Sequence, residues 1–408
     1  MPSKRALFVL LPVTALFSTV VAVKVPLTFP ITGYFPQALE WAARGRIADT
    51  FTPQAVQLFL GPALRLGGIP AILGLQALLQ VTLAAICYLI LRELRLPPDW
   101  AAYGSLPVAI NPEFLLSVSK IWDLTLSAFL LLLFVLCCLR IVRNGLLLSV
   151  KLTAAIGLVS AAAIFCRPNL IFLLPAVPMV MLHGRPSLSW RTLYGHLAAF
   201  LVVFAAGFSV LGILSHGSPF FPRNGPYNLY AGHNPLSETA LLVHLNAEFS
   251  LAPKFALTHP GRPVTDLYSP EMGSYFVHQS ILFARPHPAE EFKLVVVKLY
   301  TLFRPDTKLH PLSSAPGLMK VLLALPAVLL LAAFLLPGRP PLSFEDYLLL
   351  TVELLYIVPF LITNSDPRFR ITLDALLLLH LVSLIYRRRS ARPEFYSRRS
   401  ARPEFASA

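Results

Sequence analysis

Apolar residues run along this chain in long blocks, not at the short periods of soluble helices or strands. Ten blocks are sparse in charge: 6–24, 70–91, 101–118, 122–141, 146–166, 169–184, 192–214, 317–336, 345–363 and 370–386. A helix needs about 20 such residues to cross the hydrocarbon core of a bilayer. The pattern therefore predicts an all-α polytopic membrane protein with about ten transmembrane helices. A further segment, 54–68, is shorter and interrupted by Gly61, Pro62, Gly67 and Gly68. It predicts a re-entrant or interfacial piece, since broken backbone at membrane depth must be covered by protein.

The polar positions divide these blocks. Residues 1–214 form an N-terminal membrane region with seven spans and a first loop at 24–52. Residues 215–316 form a long loop region of mixed short helices, residues 317–386 hold the last three spans, and 387–408 form a basic tail. A connection as long as 215–316 is usually functional. Within it, the amphipathic stretch from Glu290 and Glu291 to Phe303 predicts a helix lying on the membrane surface.

Composition strengthens the membrane reading. Of 408 residues, 56% are hydrophobic and 13% charged, and mean hydropathy is +0.67. Soluble domains carry about 25% charged residues. The net charge of +14 would suggest nucleic acid in a soluble protein. Here the cations sit in short links between blocks, which argues for the bilayer as partner and against nucleic acid. Lys4, Arg5, Arg92, Arg95, Arg140, Arg143, Arg185, Arg191, Arg339 and Arg387 to Arg389 all fall on one face if ten spans are counted. The positive-inside rule makes that face cytoplasmic, with both termini on it. The first block reads as an uncleaved span, not a signal peptide. Cys87, Cys137, Cys138 and Cys166 lie in or beside apolar blocks and read as small buried hydrophobes. The sequence RRSARPEF, at 388–395 and again at 398–405, predicts a disordered tail held near anionic lipid.

Four clusters could carry chemistry, and all fall on the outer face. Tyr34 to Trp41, continuing to Asp49 and Pro53, is either an interfacial helix with aromatic anchors or a source of a carboxylate, Glu40 or Asp49, at a cavity mouth. Arg167, between Cys166 and Pro168-Asn169, either snorkels to the interface or binds a phosphate. The run from Pro226 to Pro235 is dense in aromatics and amides. Tyr227, Asn228, Tyr230, His233 and Asn234 suit a sugar, with rings for its apolar face and amides for its hydroxyls, although turns use similar residues. Finally, Arg368 and Arg370 open the last span beside Asp374. A charge inside a span faces a partner or a cavity, and Arg370 and Asp374, four residues apart, either pair structurally or serve a site. Glu353 is a second carboxylate inside a span. No metal constellation or cofactor motif is evident, and a divalent ion held by one carboxylate and water stays open.

Taken in order, these clusters resemble the GT-C class of polytopic membrane glycosyltransferases. The resemblance is to the group of dolichyl-phosphate-mannose–protein mannosyltransferases and the bacterial aminoarabinose transferase of lipid A. It rests on Tyr34-Phe-Pro-Gln-Ala38 with Gly45-Arg46, on Arg167-Pro168-Asn169, and on Asn228-Leu-Tyr-Ala-Gly-His-Asn-Pro235. His287-Pro288 ahead of Lys298, and Arg368-Phe-Arg370 ahead of Asp374, complete it. It covers nearly the whole chain except the tail. It implies transfer of a sugar from a polyprenyl-phosphate donor to an acceptor (glycan, lipid or protein) on the outer face of a bacterial inner membrane. Arg368, Arg370, Lys298 and Arg167 would meet the donor phosphate. Asp49 or Glu40 would act as base, and Tyr34, Asp374 and the 227–234 side chains would line the sugar site. One departure matters: the acid the family carries before the first-loop tyrosine is replaced here by Thr32 and Gly33. A lipid-linked-sugar transporter and a catalytically silent relative acting as scaffold are the alternatives.

Overall fold

The computed structural model describes residues 2–25, 34–48, 55–119, 123–144, 150–183, 189–219, 224–242, 272–303, 317–335, 341–365 and 367–391. Among them all regular structure is helical. The N-terminal half holds α1 (Pro2–Lys24), α2 (Tyr34–Arg44), α3 (Ala55–Glu93), α4 (Pro98–Ala109), α5 (Pro112–Ser117), α6 (Leu124–Asn144) and α7 (Val150–Cys166). A 3-10 turn at Pro168–Leu173 leads to α8 (Ala176–His183) and α9 (Trp190–His216). The long-loop region contributes α10 (Asn224–Ala231), α11 (Ser237–Leu242), α12 (Met272–Ala284) and α13 (Pro288–Phe303). The chain then forms α14 (Gly317–Leu335), α15 (Phe344–Ile362) and α16 (Pro367–Ser390). Asp49, residues 220–223, 243–271 and 304–316 of the long-loop region, and the repeated tail beyond residue 391 lie outside the described residues.

Among the described residues, four helices are long and apolar enough to cross a membrane: α3, α9, and the stretches Leu124–Arg143 of α6 and Phe369–Ser390 of α16. Shorter apolar helices, including Val150–Cys166 and Pro168–His183, accompany them. α9 turns Leu201, Val202, Val210, Ile213 and Leu214 outward, a contiguous apolar surface that lipid solvates far better than water. The chain is a helical membrane protein.

Two predicted spans, and the join between the 54–68 segment and the span after it, are broken where the sequence holds helix breakers. The 54–68 segment joins the next block within α3, but helical geometry fails at Gly67 and Gly68, the latter at φ 63°. That left-handed value favours glycine, and Pro70 follows. The arm before the break packs on α2 so closely that a Cβ on Gly61 would lie 2.5 Å from the Trp41 ring. The 101–118 block divides into α4 and α5 at Asn111-Pro112, where the Asn111 side chain accepts from the Glu113 amide at 2.8 Å. Pro168 and Pro175 likewise turn the 169–184 block into a 3-10 turn followed by α8.

α7 and α9 approach until a Cβ on Gly157 would sit 2.7 Å from the Phe200 carbonyl oxygen, the small-residue contact by which membrane helices pack. The main core joins α3, α4, α6, α15 and α16, and buries all four cysteines as free thiols. Glu353 of α15, predicted to need an intramembrane partner, finds it in α16: its Oε1 lies 2.9 Å from His380 Nδ1.

Arg140, Arg143, Arg387 and Arg389 gather at one end of the bundle. Arg143 and Arg140 at the end of α6 bond Glu93 at the end of α3, at 2.9 and 3.3 Å. Asp346, in a capping box with Ser343 at the start of α15, takes both terminal nitrogens of Arg387, one of them at 2.6 Å. Arg389 stacks over Trp100 at the start of α4, 5.7 Å from the ring centroid.

Candidate functional site

The other end of the bundle is where α15 stops and α16 begins, with α13 lying across the junction. Glu291 and Lys298 are seven residues apart, so two helical turns bring both to one face of α13. Lys298 is fully buried. Its Nζ lies 3.1 Å from the Leu361 carbonyl and 3.2 Å from His233 Nε2. His233 Nδ1 in turn lies 2.6 Å from Glu291 Oε2, and Nε2 also meets the Ile362 carbonyl. These contacts define two states. A neutral imidazole donates from Nδ1 to Glu291 and accepts the Lys298 ammonium at Nε2. A doubly protonated ring donates Nε2–H to Ile362 instead. Burial pushes Lys298 down to about 8, with the Glu291 carboxylate opposing the shift.

The turn that carries His233 is built by its neighbours. Asn234 Nδ2 donates to the Tyr230 carbonyl at 2.7 Å, its Oδ1 accepts from Leu236 N at 2.9 Å, and its own amide donates to Ser237 Oγ at 2.8 Å. Tyr227 and Tyr230 pack on Phe276 of α12, with ring centroids 5.9 and 5.6 Å away. Burial also raises the Tyr230 phenol well above its ordinary value. Asn228, half-buried, takes the Gly232 amide on its carbonyl at 3.2 Å. The aromatics and amides of this run, read from sequence as sugar contacts, here shape the loop that holds His233.

Gly232 seats that loop on α15. A Cβ at this position would lie 1.9 Å from the Thr363 carbonyl oxygen and 3.0 Å from Lys298 Nζ. Gly232→Ala therefore forces backbone apart. It is expected to destabilise the protein by about 1–3 kcal/mol and to separate His233 from Lys298. A melting temperature in detergent equal to that of the parent protein would contradict this.

Below Lys298, the junction holds two buried arginines. Arg370 donates Nε–H to Asp374 Oδ2 at 3.0 Å and an Nη1–H to the Phe303 carbonyl at 3.0 Å. Phe303 ends α13, where helical carbonyls lack partners within the helix. Arg167 donates Nε–H to Asp123 Oδ2 at 2.5 Å and Nη1–H to the Tyr356 hydroxyl at 3.2 Å. Its guanidinium lies over Phe369, 5.2 Å from the centroid, and Tyr356 donates to the Phe369 carbonyl at 2.8 Å.

Of the residues singled out from sequence, Arg167, His233, Lys298, Arg370 and Asp374 thus meet around one junction. Glu40 does not join them. It pairs with Arg44 at 3.4 Å and accepts from the Ala48 amide at 3.3 Å. α2 and the residues just after it are clasped to the end of α9 through Trp41 Nε1 on the Leu214 carbonyl (3.0 Å) and Ile47 N on the Ser215 carbonyl (2.7 Å). Asp49 and the side chains of Tyr34 and Arg368 lie outside the described residues. Sequence reasoning missed Asp123, Glu291 and Tyr356 as members of this junction. The seven-residue spacing of Glu291 to Lys298 was the one local signal available.

Among the described residues no group of three or more His, Cys, Asp or Glu side chains is placed to hold a metal. The chemistry present is buried cations beside a histidine–carboxylate pair. Such a set can bind an anion and exchange a proton. No family model and no curated protein matches the chain.

Proposed function

We propose that this protein is a membrane glycosyltransferase of the GT-C kind, moving a sugar from a polyprenyl-phosphate donor to an acceptor on the outer face of the membrane. The observation that carries this reading is the fully buried Lys298 ammonium, with its His233–Glu291 pair, at the same helix junction as Arg370 and Arg167. Two acceptors among the described residues hold an ammonium that has three N–H donors. Desolvated cations are suited to a phosphate leaving group, because charge that develops on it is stabilised strongly where water is excluded.

In the proposed reaction the acceptor hydroxyl oxygen attacks the anomeric carbon. The bond from that carbon to the phosphate oxygen breaks, and the polyprenyl phosphate departs with the electron pair. The hydroxyl proton passes to a carboxylate, with Asp49 of the first loop and the Glu291–His233 pair as the candidates. About ten spans, with the arginine-rich end cytoplasmic, would put the Lys298 junction on the outer face.

The test is turnover of purified, reconstituted protein with a panel of radiolabelled polyprenyl-phosphate sugars. Water serves as acceptor where none is known, and released sugar is counted. The expected result is turnover with one donor class. A folded protein inert to every donor would overturn the reading, and movement of donor between leaflets without bond cleavage would mark a transporter.

The Lys298 shift sets a pH signature. With a folded value of about 8, the phosphate-binding ammonium is lost as pH rises through that value, so kcat/KM is expected to fall there. Stability moves the other way. Below pH 8 the lysine is charged whether folded or not, and the full burial penalty applies. Between about 8 and the unfolded value of 10.5 only the unfolded chain keeps the proton, so stability rises with pH across that window. Melting curves at pH 7, 9 and 10.5 check the sign.

A further inference from the structure

The arginine-rich end contains a cavity of about 480 Å³ between the end of α3 and the α15–α16 pair. Its donors are arranged in a way that packing alone does not explain. Ser383, 1% exposed, and Arg387 line it, and Ser383 Oγ and Arg387 Nε are both buried without a hydrogen-bond partner among the described residues. The terminal nitrogens of Arg387 are committed to Asp346, so the Nε–H is the donor left for the cavity. Arg95 completes the set from the rim. Its backbone is left-handed, at φ 66°, where glycine or asparagine is the unstrained choice. Among the described residues Glu345 is the carboxylate in the lining of the cavity, and Leu94 and Tyr386 supply apolar wall.

Three donors, two of them guanidinium, match the oxygens of a phosphate. A carboxylate in the same lining matches an ammonium a few bonds away. The apolar wall suits the start of an acyl-glycerol. We propose that this cavity is a binding site for the headgroup of a zwitterionic aminophospholipid of the adjoining leaflet, its phosphate on Arg95, Arg387 and Ser383 and its amine on Glu345. The inference rests on the membrane location of the chain and not on glycosyl transfer. A soluble phosphoethanolamine carries the same two groups, so source is a separate question from chemistry.

Native mass spectrometry of the full chain in detergent tests this, with phosphatidylethanolamine or phosphatidylglycerol added. Wild-type protein is expected to retain phosphatidylethanolamine in preference to phosphatidylglycerol. Arg95→Asn, which keeps the left-handed backbone comfortable, and Ser383→Val are each expected to weaken retention about tenfold, the factor one charge-assisted hydrogen bond contributes. Glu345→Gln is expected to abolish the preference for the amine. Free phosphoethanolamine that displaces the lipid at millimolar concentration would support the site and point to a soluble occupant. Equal retention of the two lipids by wild type, or unchanged retention in all three variants, would overturn the proposal. Arg95 is exposed, so its variant reports on the site even if Ser383→Val fails to fold.

Discussion

Arg370→Met destabilises the folded protein by about 3–5 kcal/mol, the usual cost of leaving one member of a buried ion pair alone. The substitution removes two things at once. Asp374, 2% exposed, loses the Nε–H that it accepts at 3.0 Å, and its Oδ1 already lacks a hydrogen-bond partner among the described residues. The Phe303 carbonyl loses the Nη1–H that closes the end of α13. Methionine fills similar volume, so the loss is electrostatic and not a cavity. The companion variant Arg370→Met with Asp374→Leu removes both charges and is expected to recover most of the stability, because an apolar pair can replace a buried ion pair at little cost. Thermal unfolding in detergent, read for the two variants and the parent, decides it. A single variant that melts with the parent would show that the pair contributes nothing measurable.

The second large effect is on turnover. Lys298→Met is expected to lower transfer about 100- to 1000-fold, the range seen when one donor aimed at developing charge is removed. The fold is expected to survive, since the variant exchanges a buried cation for an apolar side chain of similar length and leaves His233 paired with Glu291 at 2.6 Å. The variant is also expected to lose the rise in stability between pH 8 and 10.5, which ties both effects to one group. Full turnover in Lys298→Met would remove this lysine from the donor site and shift attention to Arg167 and Arg368.

What could be seen in the sequence was local. The apolar runs that become α6 and α9 need no partner to be recognised. Gly67-Gly68 and Asn111-Pro112 announce the breaks because the residues themselves refuse the helix. Arg370 and Asp374 are four apart, a separation that any helix turns into contact. The distant pairings carry no such rule. Arg167 meets Asp123 across 44 residues and His233 meets Glu291 across 58, through packing of helices whose mutual arrangement no single-chain periodicity contains. Tyr227, Tyr230 and Asn234 illustrate the opposite difficulty. Rings and amides that suit a sugar also suit a tight turn packed on a helix, and composition alone does not separate the two.

The carbonyls of Leu361 and Ile362 have a double role. They belong to the last turn of α15, where a helix leaves its acceptors unmet, and they are the groups that receive Lys298 and His233. The loop that carries His233 is thus the lid on the end of α15. Any excursion of the loop strips that end of its caps, and any loosening of the end releases the loop. Amide exchange at the close of α15 is therefore a gauge of loop opening, read without a ligand, a label or a known substrate.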